Sequence, residues 1–163
     1  MMETNNFIIY TDGCCLGNPG KGGIGALIFK GSLESTPVTI SKGYKLTTNS
    51  RMELRAVVAA LEYISTKSNI TIYTDSTYVA SAITNKWLYM WIKNGWKTST
   101  RKPVKNKDLW IEMDKNISKH NVNFVWVKGH SSNIYNNKCD ELANLGARSS
   151  NLYDDENYNK KEE

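Results

Sequence analysis

Apolar residues along the chain alternate between two spacings, and the switches mark its elements. Residues 7–12 form an apolar run that stops on Asp12 and reads as a buried strand. Residues 22–29 and 38–46 follow as two more, separated by the turn-rich stretch 30–37, which predicts a three-strand antiparallel meander. Over 51–66 the period changes, with Leu54, Val57, Val58, Leu61 and Ile64 recurring at helical spacing. A strand over 70–75 and short helices over 76–84 and 86–92 come next, the last with Trp87, Leu88, Trp91 and Ile92 on one face. Gly95 ends that helix, and 96–105 reads as an exposed basic loop that Pro103 keeps from becoming helical. Residues 106–119 return to helical spacing, and 122–127 form the last strand. Its apolar residues fall on both faces, so helices are expected on both sides of it. After a loop over 128–136, a closing helix aligns Cys139, Leu142, Ala143 and Gly146. This order predicts an α/β domain, a mixed sheet covered by helices.

Within that pattern the tetrapeptide Ile-Tyr-Thr-Asp occurs twice, ending at Asp12 and at Asp75. Two strands that each end on an aspartate point to neighbouring strands delivering carboxylates to one sheet edge. Ligands of open sheets containing parallel strands gather at that edge. Like charges brought together raise each other's pKa, and a hard divalent cation is their natural counter-ion.

Composition narrows the class. A chain of 163 residues with mean hydropathy −0.50 can bury an ordinary core as one domain. The expected boundaries are an extension over 1–6, the domain over 7–150, and an acidic tail over 151–163, expected to be disordered because Asp154, Asp155, Glu156, Glu162 and Glu163 crowd there. No apolar stretch reaches membrane-spanning length, and residues 1–6 lack the pattern of a signal peptide, so a cytoplasmic, non-secreted protein is expected. Cys14, Cys15 and Cys139 offer no C-x-x-C pair and read as reduced thiols. The formal net charge is +5, and no Asp or Glu falls between Ser76 and Lys107. Lys97, Arg101 and Lys102 lie in that interval with Trp87, Trp91 and Trp96 among the basic residues, which suggests an anionic partner. Gly20, Gly22 and Gly25 satisfy G-x-G-x-x-G but lead into a strand, so they suggest a tight hairpin approached by something bulky, such as a nucleic-acid strand.

Each acid has two readings. Asp12-Gly13 also suits a turn, and Asp75 could cap the helix after it. Ser50-x-x-Glu53 fits a capping box, and Asp140-Glu141 suits the favourable start of a helix. Together, Asp12, Glu53, Asp75 and Asp140 could form one oxygen-rich site suited to Mg²⁺ or, as a substitute, Mn²⁺. Two such ions about 3.5–4 Å apart serve phosphodiester hydrolysis. His130, in the glycine-flanked loop before the closing helix, is the candidate for moving protons, whereas His120 reads as a solvated turn residue.

Five stretches resemble type 1 ribonuclease H. They are Thr11-Asp12-Gly13-Cys14-Cys15-Leu16-Gly17-Asn18-Pro19-Gly20, Thr48-Asn49-Ser50-Arg51-Met52-Glu53-Leu54, Tyr73-Thr74-Asp75-Ser76, Trp126-Val127-Lys128-Gly129-His130 and Cys139-Asp140-Glu141-Leu142-Ala143. Gly95-Trp96-Lys97-Thr98 and the residues after it look like that family's basic protrusion, here about 86–107. The resemblance implies a five-stranded mixed sheet, with the first strand between the second and the fourth: a three-strand antiparallel meander plus two parallel strands. It implies endonucleolytic hydrolysis of the RNA strand of RNA–DNA hybrids by a monomer with two Mg²⁺ ions, leaving 5′-phosphate and 3′-hydroxyl ends.

By the same resemblance Asp12, Glu53, Asp75 and Asp140 hold metal, and His130 matches a mobile catalytic histidine. Asn18, Asn49 and the backbone near Cys14 and Cys15 would face the minor groove and its 2′-hydroxyls. Thr48 and Asn106 match a pocket for a DNA-strand phosphate. Trp87 and Trp91 match rings lying along the deoxyribose backbone, with Trp96, Lys97, Arg101 and Lys102 in the basic protrusion. The chain departs from the family pattern at Ser50, Ser132 and Asn137. A non-catalytic hybrid-binding module and another two-metal nuclease of the same superfold are the rival readings.

Overall fold

Ile9, Ile24, Ile28, Ile70 and Ile72 are almost fully buried, and their strands make the centre of the sheet. The computed structural model describes residues 5–129 and 133–158. Strands β1 (Asn5–Cys15), β2 (Gly20–Lys30) and β3 (Val38–Thr47) form the expected antiparallel meander. Helix α1 (Asn49–Tyr63) leads to β4 (Ser68–Thr74), which pairs parallel to β1. The short helices α2 (Thr77–Thr84) and α3 (Trp87–Lys93) precede α4 (Lys107–Ser118). Strand β5 (Asn121–Trp126) pairs parallel to β4, and α5 (Ile134–Ala147) closes the layers. A short sixth strand, β6 (Leu152–Tyr153), pairs with β3, so the sheet order is β5-β4-β1-β2-β3-β6.

Alternation along the strands separates two apolar layers. Ile9, Ala26 and Ile28 face α1, α2 and α4 in a cluster that includes Leu54, Leu61 and Trp110. Tyr10, Leu27 and Phe29 face the other way, against Cys139 and Leu142 of α5. Each fully buried Leu or Ile contributes about 1.5–3 kcal/mol. Trp110 is fully enclosed, and its Nε1 donates to the Tyr78 hydroxyl at 2.9 Å, which satisfies its one polar atom.

Four expectations are corrected. The bulky body that approaches the β2 glycines is α5: a Cβ on Gly23 would lie 2.0 Å from the Ala143 carbonyl oxygen, and one on Gly25 2.1 Å from that of Cys139. Among the described residues, strand β5 is covered on one face only, leaving Val125 and Trp126 exposed, because it is an outer strand and α5 packs over β1, β2 and β3. His120 is buried, not solvated, and its Nδ1 accepts a hydrogen bond from the Ser68 amide at 3.1 Å. The stretch expected as a disordered acidic tail belongs to the fold as far as Tyr158, through β6 and the buried carboxylate of Asp155. Composition there is acidic, but the positive partners of Asp155 lie about a hundred residues earlier.

Candidate active site

Strands β1 and β4 run parallel with Thr11 opposite Thr74, so the next residues, Asp12 and Asp75, emerge side by side. The turn reading of Asp12-Gly13 fails, because β1 continues to Cys15. Gly13 serves packing instead: a Cβ there would lie 2.3 Å from the Met52 carbonyl carbon and 2.4 Å from the Glu53 nitrogen. The missing side chain lets α1 cross directly over β1, bringing Glu53 to the Asp12 end of the sheet. The capping role of Asp75 falls to Ser76, whose Oγ accepts from the Val79 amide at 3.1 Å.

Glu53 is not part of a capping box. Thr48 is the N-cap, its Oγ1 accepting from the Arg51 amide at 3.3 Å, which places Glu53 in the second turn. Asp140 likewise lies deeper in its helix than the dipole argument requires, since α5 is capped by Asn133 and has no acid in its first turn. The approach of α5 to Gly25, the register partner of Asp12, brings Asp140 towards Asp12. Its Oδ1 accepts from Asn144 Nδ2 at 3.2 Å.

The electrostatics show the acids acting on one another. Asp12 is 8% exposed, and its carboxyl is pushed up to about 9. Burial is the main cause, followed by the charges of Asp75 and Asp140; the Gly13 amide opposes the rise at 2.9 Å, and a hydrogen bond shared with Asp75 adds to it. Burial also raises Glu53, with Asp75 adding to it against the Ser76 hydrogen bond. Among the described residues, no group of three or more His, Cys, Asp or Glu side chains forms a ready-made metal cage. Mg²⁺ does not need one, since it keeps several waters and is often held by one or two carboxylates plus substrate phosphates. An all-oxygen donor set around an acid whose ionisation is opposed by its neighbours fits a hard divalent cation.

His130 and Ser132 lie outside the described residues. The chain leading to them is held against Asp75: Val127 N donates to the Thr74 carbonyl at 2.9 Å and Trp126 Nε1 to the Asp75 carbonyl at 3.2 Å. A Cβ on Gly129 would lie 2.8 Å from Asp75 Oδ2.

The predicted nucleic-acid residues fall into two groups. In the first, Asn18 Oδ1 accepts from the Asn49 amide at 3.1 Å, and Cys15 Sγ lies 3.3 Å from the Thr47 carbonyl. Burial and the charge of Asp12 push the neighbouring Cys14 thiol up to about 11. Asn106, held at a left-handed φ of 61°, donates from Nδ2 to Ser50 Oγ at 3.1 Å and to the Tyr78 hydroxyl at 3.3 Å. Thr48 and Asn106 thus border one patch through Ser50. The second group is the protrusion, where Thr98 N donates to the Lys102 carbonyl at 2.8 Å and Lys97 bridges to Pro103. Lys97, Arg101, Lys102 and Trp87 are exposed, whereas Trp91 and Trp96 are half-buried, Trp91 edge-on to Trp110.

Sequence reasoning missed an ionic cluster beneath the first group. Asp155 joins Arg51, Arg55 and Thr47, and Arg51 also grips Asp108. No local period marks a buried arginine, and the acids that satisfy it are remote in sequence.

The strand order and the carboxylates brought together by β1 and β4 define an α/β protein with an acidic site at one edge of its mixed sheet. Residues 4–148 match the RNase H family, and the chain belongs to that family. It is 53% identical over 146 residues to Ribonuclease HI of Pasteurella multocida (strain Pm70), covering 90% of this chain and 92% of that protein. Ribonuclease HI of Haemophilus influenzae (strain ATCC 51907 / DSM 11121 / KW20 / Rd) is likewise 53% identical, with the same coverage. Among solved structures, LC9-RNase H1, described as a type 1 RNase H with the type 2 active-site motif, superposes with a TM-score of 0.76. Its sequence identity is 29%, with 90% of this chain and 74% of that one covered. The family depends on a divalent metal.

Proposed function

We propose that Asp12, Glu53, Asp75 and Asp140 together bind two Mg²⁺ ions, with which the chain cuts the RNA strand of an RNA–DNA hybrid. As a member of the RNase H family, the chain is an endoribonuclease acting on such hybrids. The observation that carries the site assignment is the adjacency of Asp12 and Asp75 on neighbouring parallel strands, with Asp12 pushed up to about 9 by burial and by the charges of Asp75 and Asp140. When bound, the metal polarises the scissile phosphate and favours attack by water. The residues do the rest. Asp12 and Asp75 set the position of the phosphate, and Glu53 and Asp140 complete the oxygen set on the helix sides. As water bonds to phosphorus the P–O3′ bond breaks, and His130 moves a proton to the departing 3′-oxygen, leaving a 3′-hydroxyl on one product and a 5′-phosphate on the other.

On the substrate, Asn18, Asn49 and the backbone at Cys14 and Cys15 read the minor groove, where the 2′-hydroxyl distinguishes RNA from DNA. Thr48 and Asn106 seat a DNA-strand phosphate. Trp87 and Trp91 border the deoxyribose strand, and Trp96, Lys97, Arg101 and Lys102 follow its phosphates. The enzyme works as a monomer in the cytoplasm; among the described residues no helix is long and apolar enough to cross a membrane.

Cleavage of labelled hybrid, double-stranded RNA and double-stranded DNA under Mg²⁺ separates the readings. Cutting confined to the RNA of the hybrid is the expected result. Equal cutting of all three would favour a general two-metal nuclease, and binding without cutting would favour a hybrid-binding module.

A further inference from the structure

We propose that Asp155 is a positioning residue for the nucleic-acid surface, acting through Thr47 and Arg51. The inference rests on the hybrid-cleaving function above. The predicted substrate contacts of the first group meet at one short segment, 47–51, where β3 turns into α1. Cys15 Sγ reaches the Thr47 carbonyl, Asn18 holds the Asn49 amide at 3.1 Å, and Asn106 holds Ser50 Oγ at 3.1 Å. Thr48 lies between these anchors as the cap of α1.

From the inner side the carboxylate of Asp155 reaches both Thr47 and Arg51 of that segment. The Asp155 side chain is 0% exposed. Its Oδ2 accepts from Arg51 Nε at 2.7 Å and from Thr47 Oγ1 at 2.6 Å, and its Oδ1 accepts from Arg51 Nη2 at 3.1 Å and from Arg55 Nη2. Arg51 then spans the segment: its far edge meets Asp108 at 2.9 and 2.7 Å, and Nη1 lies 3.5 Å from Asn106 Oδ1. The pairing of β6 with Gly43 and Tyr44 delivers Asp155 to this place.

A buried ion pair is weak evidence for stability, because desolvation offsets much of the attraction. What such a cluster does well is fix geometry. Two carboxylates gripping adjacent edges of one guanidinium, Asp155 at Nε and Nη2 and Asp108 at Nη1 and Nη2, leave Arg51 a single orientation, and Arg51 in turn limits where Asn106 can sit. The Thr47 hydroxyl bond fixes the residue before the Thr48 cap. Loss of the Asp155 charge frees both at once, although the partners of Asp155 are Thr47, Arg51 and Arg55 rather than the metal-binding acids.

The test is Asp155→Asn in the full chain, compared with Asp154→Asn, whose carboxylate is exposed and, among the described residues, pairs with Lys45 at 3.6 Å. Hybrid binding is measured by anisotropy in EDTA and cleavage by steady-state kinetics, at a temperature where circular dichroism shows all proteins folded. Asp155→Asn is expected to raise Kd and KM about tenfold while kcat stays within about twofold. Combined with Asn106→Ala, its effect on Kd is expected to be less than additive. Asp154→Asn is expected to behave as the wild type. Should Asp155→Asn not fold, Thr47→Val keeps the shape, removes one hydrogen bond to Asp155 and is expected to raise Kd in the same sense. Lowered thermal stability with unchanged Kd and KM, or strict additivity with Asn106→Ala, overturns the positioning role. A wild type that neither binds nor cuts hybrid removes the functional reading and this inference with it.

Discussion

Asp12 and Asp75 lie side by side on neighbouring parallel strands, directly after the register pair Thr11 and Thr74. The adjacency crowds negative charge where water is scarce. Burial first, and then the charges of Asp75 and Asp140, push the Asp12 carboxyl up to about 9, so protonation, folding and metal binding compete for one carboxyl.

The first consequence concerns stability. Asp12 has its pKa raised from 3.8 to about 9 in the fold. Between those values the folded protein holds a proton that the unfolded chain has released, so this group makes stability fall as pH rises. Asp12→Asn removes that penalty. In EDTA the variant is expected to be more stable than the wild type by about 1–3 kcal/mol at pH 7.5, with the gain shrinking towards pH 4. Urea melts at several pH values measure it, and a gain that grows in acid would contradict the sign.

Activity should carry the same competition in the opposite sense. Metal binding needs the Asp12 carboxylate, and higher Mg²⁺ favours the ionised form, so the acid limb of the cleavage profile is expected to move to lower pH as Mg²⁺ is raised. Initial rates across a grid of pH and Mg²⁺ concentration report it. An acid limb that ignores the metal concentration would separate Asp12 from metal binding.

Substituting the acids should divide chemistry from binding. Asp75→Asn is expected to lower kcat by about a thousandfold or more, as loss of one member of a group that acts as a unit does. Hybrid affinity in EDTA is expected to stay close to wild type, because Asp75 faces the site's own charges. Anisotropy in EDTA beside single-turnover cleavage gives both numbers. A parallel loss of affinity would place Asp75 among the nucleic-acid contacts.

These predictions rest on residues that were unequally legible in the sequence. The twin tetrapeptides exposed Asp12 and Asp75, because the repeat is a local pattern and pairing only had to make the strands neighbours, although β1 runs past Asp12 to Cys15. Glu53 was found, although its local logic misled: Thr48 caps the helix two residues before Ser50, so the capping box never forms. Strand β5 was misjudged because alternation says which residues share a face, not whether a helix lies over it. Asp155 could not be read at all. Acidic composition there suggests disorder, and only long-range contacts with Thr47, Arg51 and Arg55 turn it into a buried anchor.

The packing of α5 offers a structural test independent of metal. The backbone of that helix rests on β2, where Gly25 faces the Cys139 carbonyl and Gly23 faces that of Ala143. Gly25→Ala places a methyl 2.1 Å from a backbone oxygen, so helix and sheet must part. A destabilisation of about 2–4 kcal/mol is expected. Asp140 rides on the displaced helix, so a loss of kcat beyond the unfolded fraction is expected too. Urea melts and active-site titration distinguish the two effects, and an unperturbed variant would show that α5 does not pack as closely as described.

The basic protrusion bears on affinity and its dependence on salt. Lys97, Arg101 and Lys102 are exposed around a small loop closed by the Thr98–Lys102 hydrogen bond and the Lys97–Pro103 bridge, so their charges can be removed without opening the core. Replacing all three with Gln is expected to weaken hybrid binding most at low salt, where phosphate contacts contribute most. The slope of log affinity against log salt should flatten by about 0.7–0.9 for each phosphate the protein no longer neutralises. Thermal stability should stay within about 0.5 kcal/mol for each substitution, as at other solvated surface positions. Binding isotherms between low and physiological salt supply the slope. A slope equal to that of the wild type would leave these cations as a solvated loop, and the affinity for the hybrid would then have to come from the patch around Asn18, Thr48 and Asn106.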